Sequence, residues 1–168
     1  MLVRRERTVD IDTVRAIHVA AFRRGADEPV EAGLLDALRG CEGWLPAFSL
    51  VAEIDGEVVG HVVCTRGWVG DVPALGLGPI GVRPDLQRDG VGQALMHAMI
   101  GAADAADEPL IALLGSPDYY GRFGFVASSA VGVTPPDPAW GEFFQVRTLA
   151  AHGGLRGTFR YATPFDDL

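Results

Sequence analysis

Two periods of apolar spacing divide this chain into segments that alternate between strand and helix. Leu2 to Thr8 alternates closely enough to predict a first strand. Ile11, Val14, Ile17, Val19 and Ala21 then predict a helix from Asp10, its capping residue, to about Phe22. A second helix is predicted from Pro29 to Arg39, with Val30, Leu34, Leu35 and Leu38 on one face. Phe48 to Ile54 and Glu57 to Arg66 flank Asp55-Gly56, a dipeptide whose left-handed backbone suits a two-residue hairpin turn. A further strand runs from about Pro73 to Val82. A helix follows from Gly90 to Ala105, marked by Ala94, Leu95, Ala98, Met99 and Ala102. Leu110 to Leu114 reads as a buried strand, and Ser116-Pro117 as the cap and first position of a short helix. Phe125 to Val133 and roughly Leu155 to Tyr161 complete the strands. Pro135, Pro136 and Pro138 mark the segment holding Trp140, Phe143 and Phe144 as a loop. Strands and helices in this order predict an α+β domain with a mixed sheet.

The junction between the Pro73–Val82 strand and the next helix carries the strongest chemical signal. Gly90 and Gly92 open that helix, whose first amides have no intrahelical partner and carry the positive end of its dipole. Without Cβ atoms, the two glycines let an anion approach the main chain, as a phosphate site requires. Gly76-Leu-Gly78-Pro-Ile-Gly81 also fits the dinucleotide fingerprint G-x-G-x-x-G. That fingerprint must open a helix directly, whereas here Val82-Arg83-Pro84 intervenes, and a residue before proline avoids the helical region. These glycines are therefore expected within the strand, at a bulge or a close backbone approach.

The run Val82-Arg83-Pro84 followed by Gln87-Arg88-Asp89-Gly90-Val91-Gly92 resembles the acyl-CoA-binding motif of the GNAT superfamily of N-acetyltransferases, Gln/Arg-x-x-Gly-x-Gly/Ala. Tyr120-Gly-Arg122-Phe-Gly124-Phe125 is similar to the Tyr-x-x-x-Gly-Phe that these enzymes carry after the next strand. Together the motifs imply the GNAT fold: a mixed central sheet flanked by helices and splayed at the CoA site, here as one domain over residues 1–168. The resemblance covers about Leu2 to Val133 and is loose over the remainder, which is expected to form a loop shaping the acceptor pocket and a terminal strand. It further implies acetyl-CoA as co-substrate and direct transfer of the acetyl group to a primary amine. By resemblance, the backbone N–H of Ile80 polarises the acetyl carbonyl, and Ile80, Gly81 and Val82 hold the pantetheine arm. Gln87, Arg88, Asp89, Gly90, Val91, Gly92 and Gln93 cradle the pyrophosphate, and Tyr120 gives the leaving thiolate its proton. Many relatives place an Asn that touches CoA where this chain has Ser116. A non-catalytic acyl-CoA sensor or scaffold of the same fold is the alternative.

The base that must take the amine's proton is not specified by either motif. Glu31, Glu53, His61, Asp71 and a chain of waters are all open, with Glu31 favoured by its place on a helix that borders the acceptor site in this family. An acyl-enzyme through Cys64 would need an adjacent base, and strand alternation points His61 to the opposite face.

Composition narrows the partners. At 168 residues the chain is long enough to bury a core without disulfides or metal. Cys41, Cys64 and four scattered histidines lack the spacing of a metal site, so no metal is expected. A net charge of −8 disfavours nucleic acid and mildly favours a cationic acceptor. All 14 basic residues are arginine, which fits a bacterial, GC-rich source. No apolar run reaches membrane-spanning length, and the charged start lacks a signal-peptide core, so a cytoplasmic protein is expected, as a monomer or homodimer.

Overall fold

A computed structural model describes residues 1–168. The strands are β1 (Leu2–Arg5), β2 (Ser49–Ile54), β3 (Glu57–Val69), β4 (Val72–Val82), β5 (Leu110–Leu114), β6 (Val126–Ala127), β7 (Val133–Thr134), β8 (Phe144–Thr148) and β9 (Gly157–Arg160). The helices are α1 (Ile11–Phe22), α2 (Val30–Arg39), α3 (Val91–Ala105) and the single-turn α4 (Pro117–Tyr120). One mixed sheet runs β1-β2-β3-β4-β5-β8-β6, antiparallel throughout except for the parallel β4–β5 pair. β3 is longer than β2, and β9 takes the edge that β2 leaves free, pairing at Trp68 and Val69.

Strand alternation separates two layers of core. Leu50, Val62, Leu75 and Leu77 point toward α3, where they meet Leu95, Met96 and Met99. Val51 and Val63 point to the other face and pack on Val14 of α1 and Leu35 of α2. Arg66 spans the base of the sheet: its guanidinium donates to both Glu108 carboxylate oxygens at 2.7 and 2.8 Å and to the Ala74 carbonyl at 2.9 Å. That fork–fork contact ties β3 and β4 to the connection between α3 and β5.

Four expectations change. Asp10 precedes α1, but its side chain does not cap it. The carboxylate is taken by the Arg4 guanidinium, at 2.7 and 3.1 Å, and by the Arg7 N–H at 2.7 Å. Arg4 holds its carboxyl below the usual range, against the opposing effect of burial. Ser116 sits at the cap position of α4 with no side-chain hydrogen bond; only its carbonyl is used, by the N–H groups of Tyr119 and Tyr120. The strand expected over Phe125–Val133 is broken by a 3-10 turn at Ser128–Val131 that ends on Gly132, at φ +73°. The proline-marked loop ends sooner than expected, because Phe144–Thr148 forms β8 and completes the antiparallel partner of β5. Phe144, Phe159 and Tyr161 there build an apolar cluster with Leu110 and Ala112, and Trp140 packs against it.

The glycines of β4 sit within the strand, as expected. A Cβ at Gly76 would lie 2.6 Å from the Tyr161 ring. Gly76→Ala is expected to cost about 1–3 kcal/mol through overpacking. Gly101, on the exposed side of α3 with open space around it, should instead gain about 0.5–1 kcal/mol as Ala from helix propensity. Urea unfolding of the two variants should move in opposite directions.

Candidate active site

β4 and β5 are neighbours over only two pairs, Leu75–Ile111 and Gly76–Ala112. Beyond Gly76, β4 continues beside β3 as far as Val82. β5 leaves it and keeps pairing with β8. A register shift between Val62 and Cys64 of β3 accompanies the parting. Leu77 to Val82 thus runs with one ladder edge unmatched by a strand, and buried backbone groups require partners.

A cavity of about 560 Å³ opens at this fork. Its walls are Ile80, Gly81 and Val82 of β4, Gln87, Arg88, Gly90, Gly92 and Gln93 at the entry to α3, Ala21 and Phe22 at the end of α1, and Tyr119 and Arg122. Gly90 turns the chain into α3 at φ +86°, a conformation that favours glycine. The Ala94 N–H is bonded to the Gly90 carbonyl, so the amides of Val91, Gly92 and Gln93 precede the helical ladder and are free for an anion. Arg83 is occupied by Asp85 and Glu57, whereas Arg88 and Arg122 face the cavity without an ion-pair partner.

Most residues expected at the CoA site therefore converge. Ile80, Gly81, Val82, Gln87, Arg88, Gly90, Gly92 and Gln93 share one wall. Val91 turns its side chain into the core, leaving only its backbone near the cavity. Asp89 is exposed and off the wall. The Gln87 amide donates to the Val82 carbonyl at 3.1 Å, bracing the turn.

The two tyrosines occupy different layers. Tyr119 lines the cavity, and a Cβ at Gly92 would lie 2.9 Å from its hydroxyl. Arg122 lies 5.0 Å from the Tyr119 ring centroid. Tyr120, expected at the thioester, is not among the cavity walls: it lies behind Tyr119, edge-on to it at 4.8 Å and to Phe125 at 6.0 Å, with its ring against Gly115. Burial pushes its phenol up to about 12, so it carries its proton at neutral pH.

None of the carboxylates expected as a base reaches the cavity. Glu31, in the first turn of α2, is not among the cavity walls. Glu53 is held by Arg4 at 2.8 Å, and Asp71 is exposed at the turn joining β3 to β4, away from the fork. His61 is fully buried and hydrogen-bonded to His18 and Ser49, each at 2.8 Å. Cys64 is buried in the α3-side core. Burial, with Glu108 adding to it, pushes its thiol well up, so an acyl-enzyme there lacks a thiolate. No cluster of His, Cys, Asp or Glu forms a metal site. The motifs do not mark Ala21, Phe22, Tyr119 or Arg122 as walls of the cavity, although all four stand there. Tyr119 and Arg122 stand inside or beside the second motif, but nothing in the spacing of α1 marks Phe22 as a wall.

Residues 11–125 match the family model of the acetyltransferase (GNAT) family. The chain belongs to the GNAT family. It is 26% identical over 170 residues to the uncharacterized N-acetyltransferase YhbS of Escherichia coli strain K12, covering 99% of each chain. The crystal structure of Escherichia coli YhbS in complex with CoA is similar with a TM-score of 0.86, over 98% of this chain and 91% of that one. A GNAT family acetyltransferase from Brucella melitensis, in complex with acetyl-CoA, is similar with a TM-score of 0.79 at 31% identity, over 98% and 97%. This GNAT chain is thus an acyltransferase, and no helix in it is long and apolar enough to cross a membrane.

Two outcomes follow for this site. Gly92→Val should abolish CoA binding measured by calorimetry, because the new side chain enters the space between the helix amides and Tyr119; unchanged affinity would place the ligand elsewhere. Stability should also fall in mild acid. Burial depresses His18 to about 4 and His61 well below its ordinary value. Their unfolded forms bind protons below about 6.5, so stability is full above that pH and is lost toward 4. His18 alone should cost about 2 kcal/mol between pH 7.5 and 5 in urea titrations.

Proposed function

We propose that this GNAT enzyme transfers the acetyl group of acetyl-CoA directly to a primary amine. The observation that carries the reading is the fork between β4 and β5, which opens beside the free amides of α3 and shares one cavity with them. Relatives similar over nearly the whole chain bind CoA or acetyl-CoA, which supports the same ligand here.

In this reading the pantetheine arm adds to the unmatched edge of β4 at Ile80–Val82, much as a strand would, with Gly81 at its middle. The amides of Val91, Gly92 and Gln93 receive the pyrophosphate, and Arg88 and Arg122 add positive charge for its phosphates. The Ile80 N–H donates to the acetyl oxygen, where negative charge grows as the amine attacks. The amine nitrogen bonds to the carbonyl carbon and passes its proton to water, and the C–S bond breaks with its electron pair on sulfur. The Tyr120 hydroxyl returns a proton to that thiolate, and its burial keeps the proton available. The phosphate-side position of Tyr119, against Gly92, suits ligand packing instead. The net charge of −8 favours a cationic amine as acceptor.

Release of CoA thiol from acetyl-CoA across a panel of primary amines tests the reading. Amine-dependent release is expected. Tight CoA binding with no release from any amine would instead favour an acyl-CoA sensor or scaffold. Tyr120→Phe should lower kcat by roughly 10²-fold, the low end for a lost general acid because a thiolate leaves readily, with KM for acetyl-CoA little changed. Full kcat in Tyr120→Phe and a loss in Tyr119→Phe would transfer the role to Tyr119.

A further inference from the structure

β4 carries one more residue than β3 beside the fork. Val62 and Cys64 of β3 pair with Ile80 and Leu77, so Val63 alone stands opposite Gly78 and Pro79. On the far side of Ile80, the Arg83 N–H donates to the Val59 carbonyl at 2.9 Å. Antiparallel alternation from that bond turns the N–H groups of Ile80 and Val82 to the unmatched edge, away from β3. The cavity follows this edge from Val82 to Ile80 and stops short of Gly78.

Past Ile80 the fork is closed by side chains. Its end is the Gly76–Ala112 pair, with the Tyr161 ring over Gly76. Leu77 and Leu113 belong to the α3-side core, and Ile80 packs against it. The opposite face is covered at Gly78 by the half-buried Phe165, from the 3-10 turn Thr163–Asp167. That ring stacks on Tyr161 at 4.5 Å and packs on Leu34 and Leu38 of α2, which keep it from retreating. A carbon placed where a Gly78 side chain would begin meets only the Phe165 ring, at 3.7 and 3.8 Å. Those are favourable van der Waals separations. One carbon therefore fits between β4 and the ring, and a second in line would run into it.

We propose that this slot holds the methyl of the acetyl group, and that Phe165 sets the acyl chain length the enzyme accepts. This rests on the acetyl transfer proposed above and deepens it to the identity of the acyl group. With the acetyl oxygen on the Ile80 N–H, the methyl points along β4 toward Gly78. There it touches the Phe165 ring in an apolar surround. Propionyl and longer groups need the volume that the ring occupies. Phe165 determines specificity and takes no part in proton or bond transfer.

Activity with acetyl-, propionyl-, butyryl- and hexanoyl-CoA and the best amine of the panel tests this in wild type, Phe165→Leu and Phe165→Ala. One methylene in an apolar pocket is worth roughly 10–200-fold, so wild type should use propionyl-CoA at least about tenfold less well than acetyl-CoA. Phe165→Ala should bring butyryl-CoA to within about threefold of acetyl-CoA, with Phe165→Leu between. Thermal unfolding checks that the variants fold, and Phe165→Leu carries the test if the alanine variant does not. Calorimetry reads the same slot without turnover. The affinity of butyryl-CoA relative to CoA should rise about tenfold or more from wild type to Phe165→Ala. A wild type that uses hexanoyl-CoA as well as acetyl-CoA overturns the inference, as does a length preference unchanged in folded variants. A change confined to KM for the amine also overturns it and makes the ring a wall of the acceptor site. A wild type that discriminates by length in calorimetry yet acylates no amine keeps the slot and overturns the acetyl-transfer reading instead.

Discussion

Everything at the candidate site depends on where two parallel strands stop being neighbours. β4 and β5 share two residue pairs and then diverge, because β3 holds β4 on one side while β8 draws β5 to the other. A sheet normally satisfies both edges of an interior strand. Here one edge of β4 is left without a strand at the place where α3 begins, so an extended ligand and a phosphate can be held by adjacent stretches of main chain. The Arg66–Glu108 contact sits at the closed end of this fork and fixes where the parting starts.

Glycine sets the shape of the parting. Gly76 admits the Tyr161 ring against β4, and Gly81 admits the His18 ring farther along the same face of the strand. Bulky residues at either position would push the strand off its neighbours. The same absence of side chains that lets aromatic rings approach β4 leaves its backbone open to a ligand. Packing and binding therefore impose the same residue choice on this strand.

The central half of the fold was legible in the sequence because its signals are local. The Asp55-Gly56 turn, the helix period after Gly92 and the apolar run Leu110–Leu114 each specify an element within a short window. The turn proposed to hold the phosphates was legible for the same reason, as Gln87 to Gln93 are contiguous in the sequence. The losses were non-local. β8 forms because β5 offers an edge, which no pattern within Phe144–Thr148 announces. The side chain of Asp10 was claimed by Arg4, from a strand six residues earlier, before it could cap α1. His18 and His61 stand 43 residues apart, and only the packing of α1 on β3 makes them one hydrogen-bonded unit. A polar residue on the buried face of α1, one position after Ile17, was the only trace of that pairing in the sequence.

The placement of β9 has a consequence for how the chain is made. The β3–β4 hairpin is complete once Val82 has been synthesised, but the outer part of β3 gains its second neighbour only with Gly157–Arg160. Tyr161, which fills the space over Gly76, arrives later still. During translation, the half of the sheet below the fork therefore waits with an open strand edge and an unfilled apolar face. A nascent chain in that state is the form most exposed to pairing with another unfinished copy, and most in need of a chaperone at the ribosome.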